Sequence, residues 1–486
     1  MWKPPQRIKY KPLDDDWPSA SEAAASRLFS PVDEGSLHLE QRTWIPAMVP
    51  WRASEDGFVT EEVLDWYGRY ARGRPGAIVV EATGIRDVPS GPLLRIGHDR
   101  FLPGLQQLVQ RVREESGGHT RLLIQIIDFL GVKRRPEREK FLQRFLRITD
   151  EHRQHLKGKA TTDDEIRAAM VDMDDEALQQ MLTTREWDDL SKGQRERVTD
   201  THLEHIAELP RVLPDLFASA AQRAKTAGFD GVELHYAHAY TMSSFLSATN
   251  TREDGFGGSL ENRLRLPLEV YAKVRSTVGY NFAVGCRFLS EECIEGGSTL
   301  EDAQQIGVAL ASAGMDFLSL SRGGKFDDAK QPKVGDAVYP YTGVSGFECM
   351  PGYIADEFGP YGRNIEPTAS IREAIRNAGL STPVVVAGGI HTFTQAEELL
   401  QQDKADVIGI ARQAMADPDW FEKVRSGCGG QVRQCEYTNY CEGLDQKHKQ
   451  VTCNLWDRLD LDEPGILKSH DGKRRLTPPD WKRENQ

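Results

Sequence analysis

The sequence predicts an α/β protein, a (β/α)8 TIM barrel, and three observations predict it. Eight short apolar runs alternate with helical stretches, the order that closes a parallel sheet inside a ring of helices. The fourth run, 231–234, is followed at once by His235, His238 and Tyr240. That sets hydrogen-bond donors just past a strand end, the edge of α/β folds where ligands bind. The seventh and eighth runs lead into Gly388-Gly389 and into Gly409-Ile410-Ala411-Arg412. Barrels often hold a phosphate with these two loops, where free N–H groups meet the anion.

In chain order, residues 1–27 are polar and read as an arm that packs on the barrel or on a second subunit. The barrel itself is assigned to 28–425. Its strand candidates are 42–49, 76–82, 121–127, 231–234, 283–287, 316–321, 383–387 and 405–410. They are short and apolar, as strands buried on both faces are. Helices are expected between them, for example over 213–227, 300–313 and 394–402. Residues 131–204 interrupt this alternation. Positions 131–160 carry ten Lys/Arg against four Asp/Glu, and 161–200 carry twelve acidic against five basic residues. Both halves have helical composition. The stretch reads either as a helical lid whose halves pair by charge, or as a solvated surface insertion. Residues 426–486 form a C-terminal extension, and its polar, Pro-rich end is expected to wrap the surface.

The stretch 228–263 reads GFDGVELHYAHAYTMSSFLSATNTREDGFGGSLENR. It resembles the signature of the Old Yellow Enzyme family of FMN-dependent NADH:flavin oxidoreductases. The match runs through His235, His238, Tyr240, Phe245-Leu246-Ser247, Asn250, Arg252, Asp254, Gly257-Gly258-Ser259 and Glu261-Asn262-Arg263. Ala239 replaces the usual glycine and Ala248 the usual proline. The resemblance covers 28–130 and 205–455.

The resemblance implies an FMN site. Ala47, Met48 and Val49 fall where the family meets the flavin edge, with Ala47 in place of a proline and Val49 in place of Thr or Cys. Val donates no hydrogen bond, so either redox tuning is altered or Val49 fills core. Ala82 matches the residue that backs the flavin. Gln125 matches the glutamine bonded to the pyrimidine, and its apolar neighbours argue for a buried, partnered amide. Arg287 matches the arginine beside the flavin N1 and O2. Gly388, Gly389, Ala411 and Arg412 match the phosphate cradle. No G-x-G-x-x-G follows a strand, so no Rossmann unit for a tightly held second cofactor is expected, and the resemblance implies that NAD(P)H binds over the same flavin face in turn with substrate.

Reduction of a C=C bond beside a carbonyl needs a hydride donor, donors for the carbonyl oxygen and a proton for the α-carbon. His235 and His238 suit the second task, and by the family match Tyr240 is the proton donor. The expected function is NAD(P)H-dependent ene-reduction by FMN. The alternatives are an amine dehydrogenase, a reductase of the enoyl- or dienoyl-CoA type, or a flavin-binding protein without turnover. The CoA and amine readings come from the tail. Cys435, Cys441 and Cys453 resemble the iron–sulfur frame of the trimethylamine dehydrogenase and dienoyl-CoA reductase branch, with Cys428 just upstream. Thr438 stands where a second ligand would be. The frame is one thiolate short of a [4Fe–4S] site; a zinc site or plain thiols are the alternatives, and no metal is expected.

The 486 residues carry a net charge of −13, which argues against a nucleic-acid or anionic-membrane surface. No apolar run approaches a membrane span, and residues 1–17 lack a signal-peptide core. Seven cysteines, an odd number in a long chain, do not form a disulfide framework. A soluble cytoplasmic homo-oligomer acting on a small molecule is expected.

Overall fold

The computed structural model describes residues 10–88, 90–350 and 359–482. A short antiparallel hairpin comes first, β1 (Val32–Glu34) and β2 (Leu37–Leu39). Eight parallel strands follow: β3 (Thr43–Ile45), β4 (Ala77–Gly84), β5 (Arg121–Ile127), β6 (Gly231–Tyr236), β7 (Ala283–Leu289), β8 (Leu318–Ser321), β9 (Val384–Ala387) and β10 (Val407–Gly409). Each pairs with the next, and β10 pairs with β3, so the sheet closes. This is the (β/α)8 barrel that the alternation predicts.

Side-chain parity explains which residues fill it, because successive strand residues face opposite sides. On β5, Leu122, Ile124 and Ile126 join the large core shared with the helices. Leu123 instead packs inside the barrel with Trp44, Ala77, Val79, Ala283, Phe317, Val385 and Val407. The hairpin residues Val32, Leu37 and Leu39 close that apolar plug from below. One step further along the same inward parity lie Gln125, Glu233, His235, Arg287, Ser319 and Ser321. The lower half of the barrel is therefore apolar, and its carboxyl end is polar.

Several strand limits differ from the sequence expectation. β3 ends at Ile45, so Ala47, Met48 and Val49 lie in the following loop. β6 extends through Tyr236, because His235 and Tyr236 still pair with Arg287 and Phe288 of β7. His235 thus belongs to the strand itself, and only His238 and Tyr240 lie past its end. On β4 the register shifts between Val80 and Thr83.

The 131–204 stretch is helical, with helices such as Asp163–Val171, Asp175–Met181 and Thr184–Lys192. Its buried residues, among them Phe141, Leu142, Ile166, Met170 and Leu178, form a core separate from that of the barrel. The polar tail also enters the interior: Trp456 is fully buried, and its Nε1 donates to the Met415 carbonyl at 2.9 Å. Arg69 ties the chain end down, pairing with Asp419 and donating to the Pro478 and Pro479 carbonyls. Among the described residues no helix is long and apolar enough to cross a membrane.

Candidate active site

The polar end of the barrel brings the three expected catalytic residues together. The ring centroids of His235 and His238 are 5.5 Å apart, and those of His235 and Tyr240 are also 5.5 Å apart. His238 adopts φ 62°, a left-handed conformation that a non-glycine residue holds only when its surroundings impose it. Lys325 helps impose it, donating from Nζ to the His238 carbonyl at 3.0 Å. Gly324 leaves room for the ring: a Cβ there would lie 2.7 Å from His238 Nδ1.

The surroundings of both histidines disfavour the charged imidazolium. Burial, reinforced by Arg287, lowers the His235 pKa to about 3. Burial, then His235 and Arg287, holds His238 well below its ordinary value. Ser321 Oγ lies 3.4 Å from His238 Nε2. Among the described residues His235 Nδ1 is buried without a hydrogen-bond partner. Burial pushes the Tyr240 pKa up to about 12, which favours the protonated hydroxyl.

Six of the ten expected cofactor residues share one cleft. Ala47, Arg287, Gly388, Gly389, Ala411 and Arg412 line it, with a volume of about 120 Å³. Gly388 and Gly389 have φ 135° and 73°, so the backbone there can present N–H groups at close range. Arg412 stacks over Tyr437 at 4.7 Å and donates to Asn439 at 3.0 Å. The cleft is smaller than the roughly 300–1,000 Å³ of sites that enclose whole ligands, so it suits the phosphate end of a nucleotide. A second cavity of about 360 Å³ opens beside Tyr240, roofed by Arg195–Thr199 of the insertion. Ser321 and Cys349 line the cleft and touch His238, while Ala239 and Tyr240 line the cavity. The histidine pair therefore lies between the two spaces.

The other four cofactor candidates are not on the cleft lining. Met48 packs against the main core. Val49 is partly exposed in the loop after β3. Ala82 is buried on β4, within its register shift. Gln125 faces the barrel interior and donates to Glu233 Oε1 at 2.6 Å. Burial raises the Glu233 pKa, although Arg287 and the bond from Gln125 oppose the shift.

Of the cysteines, Cys435, Cys441 and Cys453 influence one another electrostatically. Burial pushes the Cys441 thiol up to about 12 and raises the other two. Thr438, in the place of the missing ligand, bonds to Asn454 at 3.1 Å. Cys428 sits elsewhere, between glycines that abut Trp17 and Ala20. Among the described residues no group of three His, Cys, Asp or Glu side chains is arranged to hold a metal ion. The set does not fit a four-thiolate cluster.

The profile of the NADH:flavin oxidoreductase / NADH oxidase family matches residues 27–345 and 362–430. The chain belongs to this family. An NADH oxidase of Thermoanaerobacter brockii is 28% identical over 413 residues, covering 84% of this chain and 52% of the relative. A metal reductase of Desulforamulus reducens is 30% identical over 433 residues, covering 88% and 53%. The solved structure of 2-naphthoyl-CoA reductase with 2-naphthoyl-CoA superposes with a TM-score of 0.63 at 19% identity, covering 89% of this chain and 57% of that one. The chain thus spans about half the length of these relatives. The residues present fit the FMN of the family: a glycine cradle with Arg412 for the phosphate, and Arg287 with an unpartnered His235 nitrogen on the inner side.

Sequence reasoning missed several residues of this site. Lys325, Glu292, Tyr339, Tyr341 and Asp445 stand outside any motif. The only available signal was the pair of aromatics in Tyr339-Pro340-Tyr341.

Proposed function

We propose that the chain is an FMN-dependent oxidoreductase that takes hydride from NAD(P)H and reduces the activated C=C bond of an α,β-unsaturated carbonyl substrate in a ping-pong cycle. The observation that carries this reading is the convergence of two buried histidines and Tyr240 beside the cavity of about 360 Å³. Bound FMN would accept hydride from NAD(P)H and pass hydride to the substrate β-carbon. The protein's share is orientation and proton delivery. A neutral imidazole has one N–H donor, so His235 and His238 can hold the carbonyl oxygen without a fixed positive charge. His235 Nδ1 would gain the partner that a buried polar atom requires. Tyr240 would deliver its proton to the α-carbon. The phosphate of FMN would rest on Gly388, Gly389 and Arg412, with Ala411 beside it, and Arg287 would face the ring.

The test is a flavin spectrum recorded anaerobically with NAD(P)H and then with 2-cyclohexenone. Bleaching by the first and recovery with the second support the reading. Tyr240→Phe should slow recovery and spare bleaching; equal loss of both would overturn the role of Tyr240. A second reading, an amine dehydrogenase or a CoA-thioester reductase, is motivated by the Cys435, Cys441 and Cys453 frame. Bound iron in the purified protein, or flavin bleaching by an amine, would favour it.

A further inference from the structure

We propose that Arg195, carried to the site by the helical insertion, is the specificity residue that binds a carboxylate on the substrate, so that the chain reduces α,β-unsaturated carbonyl compounds that are themselves anions. The inference rests on the reading of the chain as an ene-reductase and names the substrate class of that same site.

Arg195 lines the cavity of about 360 Å³ together with Tyr240. Its backbone is fixed from two sides. It forms the antiparallel bridge with Val132, and its carbonyl accepts from Arg185 Nη2 at 2.6 Å. The guanidinium lies over the Phe326 ring, 4.9 Å from the centroid. Phe326 in turn shares a small apolar cluster with Ala239, the residue between His238 and Tyr240. The cation is thus tied to the reacting turn through one packed cluster.

Other charges on the cavity wall are already engaged. Lys325 pairs with Glu292 at 2.6 Å, and Arg197 Nη2 donates to Asp188 at 2.7 Å. Glu196 accepts from the Gly131 backbone N–H at 2.8 Å and bonds to His205 at 2.8 Å. Arg195 differs. Its side chain is only 17% exposed, and among the described residues it makes no hydrogen bond. Its ion-pair contact is Asp327 at 3.7 Å, too long for a hydrogen bond. Asp327 is itself 47% exposed, and a pair of that kind contributes little. A largely buried guanidinium without an acceptor is poorly compensated. Its planar fork matches a carboxylate through two parallel bonds.

Size favours a small acid over a dinucleotide. The cavity volume of about 360 Å³ is near the lower end of the roughly 300–1,000 Å³ of small-molecule sites. A carboxylate at Arg195 would replace the long contact to Asp327 with two short ones, while the carbonyl end of the same molecule reaches towards His235 and His238. The insertion would then select the substrate as well as roof it.

The test gives the full-length holoenzyme an enone that carries a carboxylate on a short tether, 3-(3-oxocyclohexenyl)propanoate, and the neutral methyl ester of the same compound. For the wild type, kcat/KM for the acid should exceed that for the ester about tenfold or more. Arg195→Met should remove most of this preference, chiefly through KM. Arg195→Lys should keep part of it, because an ammonium retains the charge without the fork. Asp327→Asn removes a competing carboxylate and should strengthen the preference; this half-exposed position decides the matter if Arg195→Met does not fold. Equal kcat/KM for acid and ester in the wild type, or a preference that survives Arg195→Met, overturns the inference. An unchanged or weaker preference in Asp327→Asn does the same. So does a loss confined to flavin bleaching by NAD(P)H, which would assign Arg195 to the phosphates of the dinucleotide. If reduced wild-type flavin is reoxidised neither by 2-cyclohexenone nor by the acid or ester, the failure lies instead in the underlying ene-reductase reading.

Discussion

Lys325 Nζ lies 2.6 Å from Glu292 Oε1, with both side chains almost wholly buried. The same ammonium holds the His238 carbonyl, while Glu292 Oε2 accepts from Ser247 at 2.7 Å and from the Ser298 backbone at 2.6 Å. This pair clamps the signature turn from beneath. Lys325→Met would leave a buried carboxylate without its cation, a loss of about 3–5 kcal/mol. The expected outcome is a clear fall in the urea midpoint, with a smaller fall for the Lys325→Met, Glu292→Gln double variant. Equal midpoints for wild type and Lys325→Met would contradict the clamp.

The same region should make stability depend on acid in a defined direction. Burial works against ionisation of Glu292, yet Lys325 and the hydrogen bonds prevail and hold its pKa below the ordinary carboxylate value. Its contribution is therefore full above about pH 4.5 and is lost as pH falls through the native pKa. His235 acts in the window above. Its native pKa of about 3 lies below the ordinary imidazole value. Below about pH 6.5 the unfolded chain binds a proton that the native chain refuses, so stability drops as pH falls. His235→Asn should flatten the stability profile between about pH 6.5 and 4, measured by urea unfolding at each pH. An unchanged slope would mean that His235 is protonated in the fold.

The barrel was legible because each strand is a short apolar run, and parity then fixes what lies inside. Strand ends were less legible. Pairing of His235 with Arg287 keeps β6 going beyond its apolar run, a tertiary effect with no local sequence mark. Gln125 could be read as buried and partnered, but not that Glu233 on the neighbouring strand is the partner. Lys325, Tyr341 and Asp445 reach the site from loops far apart in sequence. Such single polar contacts carry no periodicity, so only the fold reveals them. The insertion was visible as composition and charge, while its separate core is a property of packing.

Gly389 offers a test of the phosphate cradle. Its φ is 73°, and a Cβ there would lie 1.9 Å from the Pro360 carbonyl oxygen. Gly389→Ala must shift the loop or strain it, at about 1–3 kcal/mol. The expected result is a lower flavin-to-protein ratio after gel filtration. Gly430→Ala, where a Cβ meets nothing within 4 Å, should retain flavin like the wild type. Equal retention by both variants would remove Gly389 from the cradle.

The helical insertion should be separable from the barrel. Its ends meet: Lys133 N donates to the Gln194 carbonyl at 2.7 Å, and Glu196 N donates to the Gly131 carbonyl at 2.9 Å. Val132 and Arg195 form an antiparallel bridge between them. Gly193 lies against Lys133, Arg134 and Arg135, so a short Gly/Ser link can replace 136–192 without stretching either end. Because the excised helices pack on their own core, the barrel should still fold and keep its flavin, and bleaching by NAD(P)H should persist. What changes is the space beside Tyr240, whose roof at Arg195–Thr199 loses its support. KM for 2-cyclohexenone should then rise, with a smaller change in the NAD(P)H half-reaction. An insoluble or flavin-free product would instead make the insertion part of the barrel's folding unit, and its separate core would then be a consequence of docking rather than a cause.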